Sequence, residues 1–226
     1  MATKKNVVSL DTARTDASKS ERQVIIAPPK FETATVRLIG TAPYVQHRFS
    51  QKAKNQIIAT QEAGSQARKG RQREAKDFNE VYNNAMYLSE AGWHGIPASA
   101  FRNAMISACR TVGFKMTLAK LSLFVEADGF DAQDATPLVR ITKGEPAPHT
   151  APARNANGSV DIRVRPMWRA GWECVLRVRW DAGQFSATDT VNLLARVGLQ
   201  IGVGEGRPDS RMSAGLGWGL FDVATD

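Results

Sequence analysis

The chain has 226 residues, with 30 lysines and arginines against 22 acids, a net charge of +8 and an isoelectric point near 9.8. That length holds one sizeable domain with a real core, and an apolar fraction of 42% is that of an ordinary globular protein. The positive excess points to a polyanionic partner, nucleic acid before an acidic membrane surface. No apolar run is long enough to span a membrane or to serve as a secretory signal.

In chain order, residues 1–29 are rich in Lys, Ser, Thr and Asp, with one apolar patch, Val24-Ile25-Ile26, before Pro28-Pro29. This composition predicts a flexible arm, leaving 30–226 as the folded domain. Thr33 to Gly40 alternates, with Ala34, Val36 and Leu38 on one side, and predicts a strand. From Phe49 to Leu88 the pattern is helical and basic, with Lys52, Lys54, Arg68, Lys69, Arg71, Arg73 and Lys76, and Gly64 and Gly70 divide it in two. Such an insertion, about 49–90, suits a phosphate track. Ser99 is the expected N-cap of a helix whose stripe is Phe101, Ala104, Met105, Ala108, Cys109 and Val112, stopped by Gly113. Lys120 to Glu126 (Leu121, Leu123 and Val125 on one side) and Pro137 to Thr142 read as strands.

Lys143 to Gly158 has no periodicity and lies between strands, the second carrying Val160, Ile162 and Val164 on one face and Asp161, Arg163 and Arg165 on the other. A long hairpin with a projecting tip is expected. Trp172, Cys174, Leu176, Val178 and Trp180 form the inward face of the strongest strand. Ser186 and Asp189 make a capping-box pattern at the start of a helix with Val191, Leu194 and Ala195 inward, ending at Gly198. Both cysteines, Cys109 and Cys174, fall at inward positions, as in a reducing cytoplasm without disulfides. His47, His94 and His149 lack metal-ligand spacing, and Asp128, Asp131 and Asp134 read as a polar turn rather than a calcium loop. No metal and no cofactor is expected.

The stretch GLQIGVGEGRPDSRMSAGLGWG, Gly198 to Gly219, joins the second helix to a last strand. It matches neither the dinucleotide fingerprint nor the phosphate loop, and reads either as a turn-rich connection or as a loop that presents Arg207 and Arg211 to phosphate. The layout is α+β: a modified ferredoxin-like (RRM-like) βαββαβ core with a basic helical insertion and a projecting hairpin. A sheet with one open face is a common platform for single-stranded RNA.

Three pieces, in order, resemble the RAMP superfamily, which includes the backbone subunits of CRISPR effector complexes. They are LIGTAPY after the first strand, GIPASAFRNAMISACR at the first core helix, and IGVGEGRPDSRMSAGLGWGLFDV before the last strand. Ala98 stands where the family pattern has glycine, and the glycine-rich loop is longer around Glu205 to Arg211. The resemblance implies a cytoplasmic protein that coats a guide RNA as a head-to-tail filament beside other effector subunits, with single-stranded DNA a possible target. It implicates Arg48, Lys52, Lys54, Ser99, Arg102, Arg207 and Arg211, and a thumb at about 143–160. The basic cluster Arg68, Lys69 and Arg71 and the backbone at Gly202 and Gly204 join them as RNA-binding candidates, with Trp168 and Trp218 as stacking candidates.

Some members of the superfamily cleave RNA with an acid after the first strand or with a histidine. No Asp or Glu occurs between Gly40 and Gln61, which leaves His47 as the candidate base. The expectation is a non-catalytic, sequence-independent binder. The alternatives are an endoribonuclease that processes repeat RNA and a virus-encoded protein that coats single strands.

Overall fold

The structure is a computed structural model that describes residues 26–49, 51–64, 75–154, 158, 160–210 and 215–224. In chain order the elements are β1 (Phe31–Gly40), β2 (Tyr44–Val45), α1 (Gln51–Glu62), α2 (Phe78–Asn84), β3 (Gly95–Pro97), α3 (Ala98–Thr111) and α4 (Met116–Ser122). Next come β4 (Leu123–Glu126), β5 (Gly129–Phe130), β6 (Pro137–Lys143), β7 (Ala147–Arg154), β8 (Val160–Trp168), β9 (Glu173–Asp181), α5 (Ala187–Arg196) and β10 (Phe221–Val223).

β1 is the axis of the main sheet. One edge pairs with β9 from Phe31↔Asp181 to Ile39↔Glu173, and the other pairs with β10 at Leu38 to Gly40. β4 and β6 share the far edge of β9, β4 beside Trp180 and β6 beside Cys174, while β3 and β5 extend β6. All these pairings are antiparallel. With α3 between β1 and β4 and α5 between β9 and β10, the order β10-β1-β9-β4/β6 is the ferredoxin-like arrangement, its second strand split into two segments.

The period of two explains the layering. Leu38, Trp172, Cys174, Leu176, Val178 and Trp180 are buried on the face that α3 and α5 cover, with Phe101, Met105, Cys109, Leu193 and Leu194 across from them. Cys109 and Cys174 are buried and unpaired. On the opposite face, Thr33, Thr35 and Arg37 of β1 stand in register beside Arg179, Arg177 and Val175 of β9. The expected hairpin is β7–β8, paired from Ala147↔Met167 to Arg154↔Val160, and β2 adds to β8 through Tyr44↔Trp168.

Local readings need correction at four places. Lys120 to Ser122 is helical rather than extended: α4 closes with the Ser122 hydroxyl on the Leu118 carbonyl, which leaves Leu121 70% exposed before Leu123 enters the sheet. The inward face of α5 is Thr190, Leu193 and Leu194, and Val191 points out. The helix does not stop at Gly198; a π turn, Val197–Ile201, follows and closes with Gly202 N–H on the Val197 carbonyl at 2.8 Å. Pro97, not Ser99, occupies the N-cap of α3, and Val112 at its far end is exposed. The capping box of Ser186 and Asp189 is formed as expected. Of the proposed arm, residues 1–25 lie outside the described residues.

Candidate nucleic-acid interface

The three stretches singled out by sequence meet around one groove of about 790 Å3. One wall is a face of α3, with Ser99, Asn103 and Ser107; the other is the glycine-rich loop from Ile201 to Ser210; Tyr44, Gln46 and Tyr87 line the space between. His47 and Arg163 also line it. The hairpin, as the sheet partner of β2, thus contributes a cation beside the groove.

Backbone bonds hold the loop in this position. Glu205 N–H donates to Val45 O (2.9 Å), Gly219 N–H to Pro43 O (2.7 Å) and Val203 N–H to Gly219 O (3.0 Å). The path needs glycine. Gly204 has φ of +82°, and a Cβ there would stand 2.6 Å from both the Tyr44 ring and the Val45 carbonyl. Gly202, at +72°, turns the chain out of the π turn, with a would-be Cβ 2.9 Å from the Trp218 carbonyl. Gln46 fastens the base: its amide donates to Tyr44 Oη (2.9 Å) and Gly95 O (2.8 Å) and accepts from Tyr87 N–H (2.8 Å).

Cations and helix geometry dominate the electrostatics. No side chain caps the start of α3, and Ser99 and Ala100 of its first turn line the groove. A first turn of this kind carries spare N–H donors and a partial positive charge. Arg207 lines the opposite wall, one guanidinium N–H on Gly204 O at 2.9 Å. The two carboxylates present are each held by an arginine: Glu205 by Arg165 (3.1 Å), and Asp209 by Arg110 (2.8 Å) and the Ser107 hydroxyl. Those bonds, that from Ser107 above all, keep the Asp209 carboxyl below its usual range. His47 lies 3.9 Å from Glu205, yet burial first and Arg165 next push its imidazole below its ordinary value. Among the described residues, no group of three or more His, Cys, Asp or Glu is placed to hold a metal ion. None of the helices among them is long and apolar enough to cross a membrane.

The structure separates the candidate residues. Ser99, Gly204 and Arg207 line the groove, and Gly202 is buried directly behind its wall. Arg48 does not face solvent: its side chain is 1% exposed, bonded to Asp131 at 2.7 Å and to Gln133, and so is a core ion pair rather than a phosphate ligand. Asp131 also accepts from the backbone N–H of Leu88, Gln133 and Asp134, which gives the acidic turn a structural purpose. Lys52 lies 3.5 Å from Glu80 and Lys54 2.8 Å from Asp134, on an α1 that buries none of its residues. Arg102 turns away from the groove to Leu123 O (2.8 Å) and Lys120 O. Trp168 is fully buried, which removes it as a stacking platform, whereas Trp218 is half-buried with its ring 5.3 Å from that of His149. Arg68, Lys69, Arg71 and Arg211 lie outside the described residues. Gln46 and Tyr87 carry no sequence signal of their own, but Arg163 does, as an outward cation alternating along β8.

No known protein family and no curated protein matches this sequence. A solved structure does match in fold: a chain of the cryo-EM structure of the Type III-B Cmr-beta bound to cognate target RNA, with a TM-score of 0.52 and 9% identity. The match covers 87% of this chain but 60% of that one, so the protein spans less than two thirds of its neighbour's length. At this identity the likeness is one of fold, and it agrees with the α+β, modified ferredoxin-like architecture described above.

Proposed function

We propose that the protein is a non-catalytic, sequence-independent RNA-binding subunit that repeats along a guide RNA in a ribonucleoprotein effector complex of the CRISPR type. The observation that carries this reading is the groove, where the uncapped start of α3, the glycine-rich loop with Arg207, and Arg163 from the hairpin converge in a chain of net charge +8. Guanidinium forks and helix N–H groups bind phosphate oxygens irrespective of base, which suits a protein that must grip any guide. The fold neighbour comes from a complex that holds RNA. In this reading Lys52 and Lys54 supply outer phosphate contacts, the hairpin spaces successive copies along the strand, and further effector subunits cap the filament.

The test is to purify the protein at moderate salt, read its absorbance ratio, and sequence any nucleic acid extracted from it. RNA of discrete length in a large, ladder-like assembly is the expected result. A monomer that binds no RNA at any salt concentration would defeat the proposal. A second reading, an endoribonuclease, is favoured by the position of His47 on the groove, where burial and Arg165 push its imidazole below its ordinary value. There His47→Ala abolishes cleavage and spares binding. Comparing RNA with DNA of the same sequence separates both from a general single-strand coat, since only RNA offers the 2′-hydroxyl.

A further inference from the structure

We infer a second nucleic-acid contact on the face of the sheet opposite α3 and α5: a stacking site for one base of single-stranded RNA, built from Phe31, Phe124 and Arg179. The inference rests on the RNA-binding reading above and adds a site that the groove does not include.

Strand register brings these side chains together. Arg179 of β9 stands opposite Thr33 of β1 on one side and Phe124 of β4 on the other, with Phe31 two residues along β1 on the same face. The Arg179 guanidinium carbon lies 5.2 Å from the centroids of both phenyl rings, and the rings meet edge to face at 5.7 Å. Arg102 comes round the β4 edge to stand 5.2 Å from the Phe124 centroid, anchored by two of its N–H groups on the Lys120 and Leu123 carbonyls. Phe124 is therefore held in place, while Phe31 is 38% exposed and Arg179 is exposed.

The charge on this face is what names the ligand. Arg177 is held by Asp128 (3.1 Å) and Glu126 (3.6 Å), and Arg37 by Glu173 (3.7 Å). Among the described residues, the Arg179 guanidinium has no carboxylate within ion-pair distance and no hydrogen bond. A guanidinium laid on aromatic rings with its donors unspent suits a group that is planar, rich in acceptors and attached to an anion. A nucleobase on its phosphate backbone has all three properties, and base–aromatic stacking tolerates any sequence. An apolar protein partner would use the rings but strand the cation.

The test uses the full chain and a single-stranded RNA carrying 5-iodouridine at one position at a time, cross-linked by light and mapped by peptide mass spectrometry. Cross-links to Phe31 or Phe124, together with about tenfold weaker binding by Phe31→Ala and Arg179→Ala, are expected. Phe31→Tyr should restore binding, because it keeps a ring, and Phe31→Leu should not. RNA bound at normal affinity by Phe31→Ala, with cross-links confined to groove peptides, would overturn the site and leave the proposed function standing. Loss of thermal stability in Arg179→Ala with unchanged RNA affinity would reduce the cluster to a staple between strands and also overturn it. A change in self-association without RNA, at unchanged affinity, would make the face a protein interface instead. Failure to bind RNA at all would remove both proposals.

Discussion

The basic insertion and the glycine-rich loop both advertise a phosphate site in sequence, and the folded chain treats them differently. Among the described residues of the insertion and its approach, four cations face acids: Arg48 meets Asp131, Lys54 meets Asp134, Lys52 meets Glu80, and Lys76 meets Asp161 at 2.5 Å. Around the loop the order is reversed, because the acids Glu205 and Asp209 are already held by Arg165 and Arg110 while Arg207 contacts a carbonyl of its own loop. Charge density along a sequence is thus a poor guide to available charge. A carboxylate distant in sequence takes much of it away, as the separation of 83 residues between Arg48 and Asp131 illustrates.

The difference can be broken most directly at Arg48. If its charge is structural, Arg48→Ala should cost about 3–5 kcal/mol, since it leaves Asp131 buried without its partner. Chemical denaturation measures this, and the RNA affinity of the fraction still folded should keep its salt slope. A lower slope at intact stability would return Arg48 to the binding surface. Gly204→Ala comes next, at about 1–3 kcal/mol for the positive φ, with a further shift as the new methyl displaces Tyr44 from the groove. Melting curves and RNA titration should move together in that variant.

Reversing charge sharpens the comparison at lower cost. Arg207→Glu should lower the slope of log affinity against log salt by about 1 and weaken every sequence alike. The paired change Lys52→Glu with Lys54→Glu should do less per charge removed, because Glu80 and Asp134 already offset those lysines. An equal or larger effect would place the phosphate path along α1. Ser186→Ala is the control remote from both regions: about 1 kcal/mol of stability from the lost cap, with binding unchanged.

The smallest expected effect is one of pH. The folded chain holds His47 below its ordinary value, so its contribution to stability is complete above about pH 6.5 and is lost progressively as pH falls from there through the lower value of the folded chain. If the proposed strand sets a phosphate beside the imidazole, that phosphate raises its proton affinity, so RNA should bind about two- to fivefold more tightly at pH 5.5 than at 7.5. His47→Gln should remove that dependence, and a pH profile that the substitution leaves intact would place the bound strand away from His47.

What the residues determine locally was readable from their order. Alternation along β1 and β9, the stripe of α3, the Ser186–Asp189 cap and the hairpin all follow from periods of 2 and 3.6 and from single-residue chemistry, and the ferredoxin-like order follows from their succession. Where two local signals competed, one prevailed: Leu121 alternates with Leu123 and Val125, but the turn closed by Ser122 makes it helical. The glycines of the 198–219 stretch marked a loop that needs close backbone approach, and Gly204 against Tyr44 shows the surface it approaches. Only the tertiary structure decided which cations remain available. Arg48 and Arg207 are the same side chain a short way from glycine-containing turns, yet one is sealed against Asp131 and the other lines a groove. The energy of a charge depends on the dielectric and the partners that folding places around it.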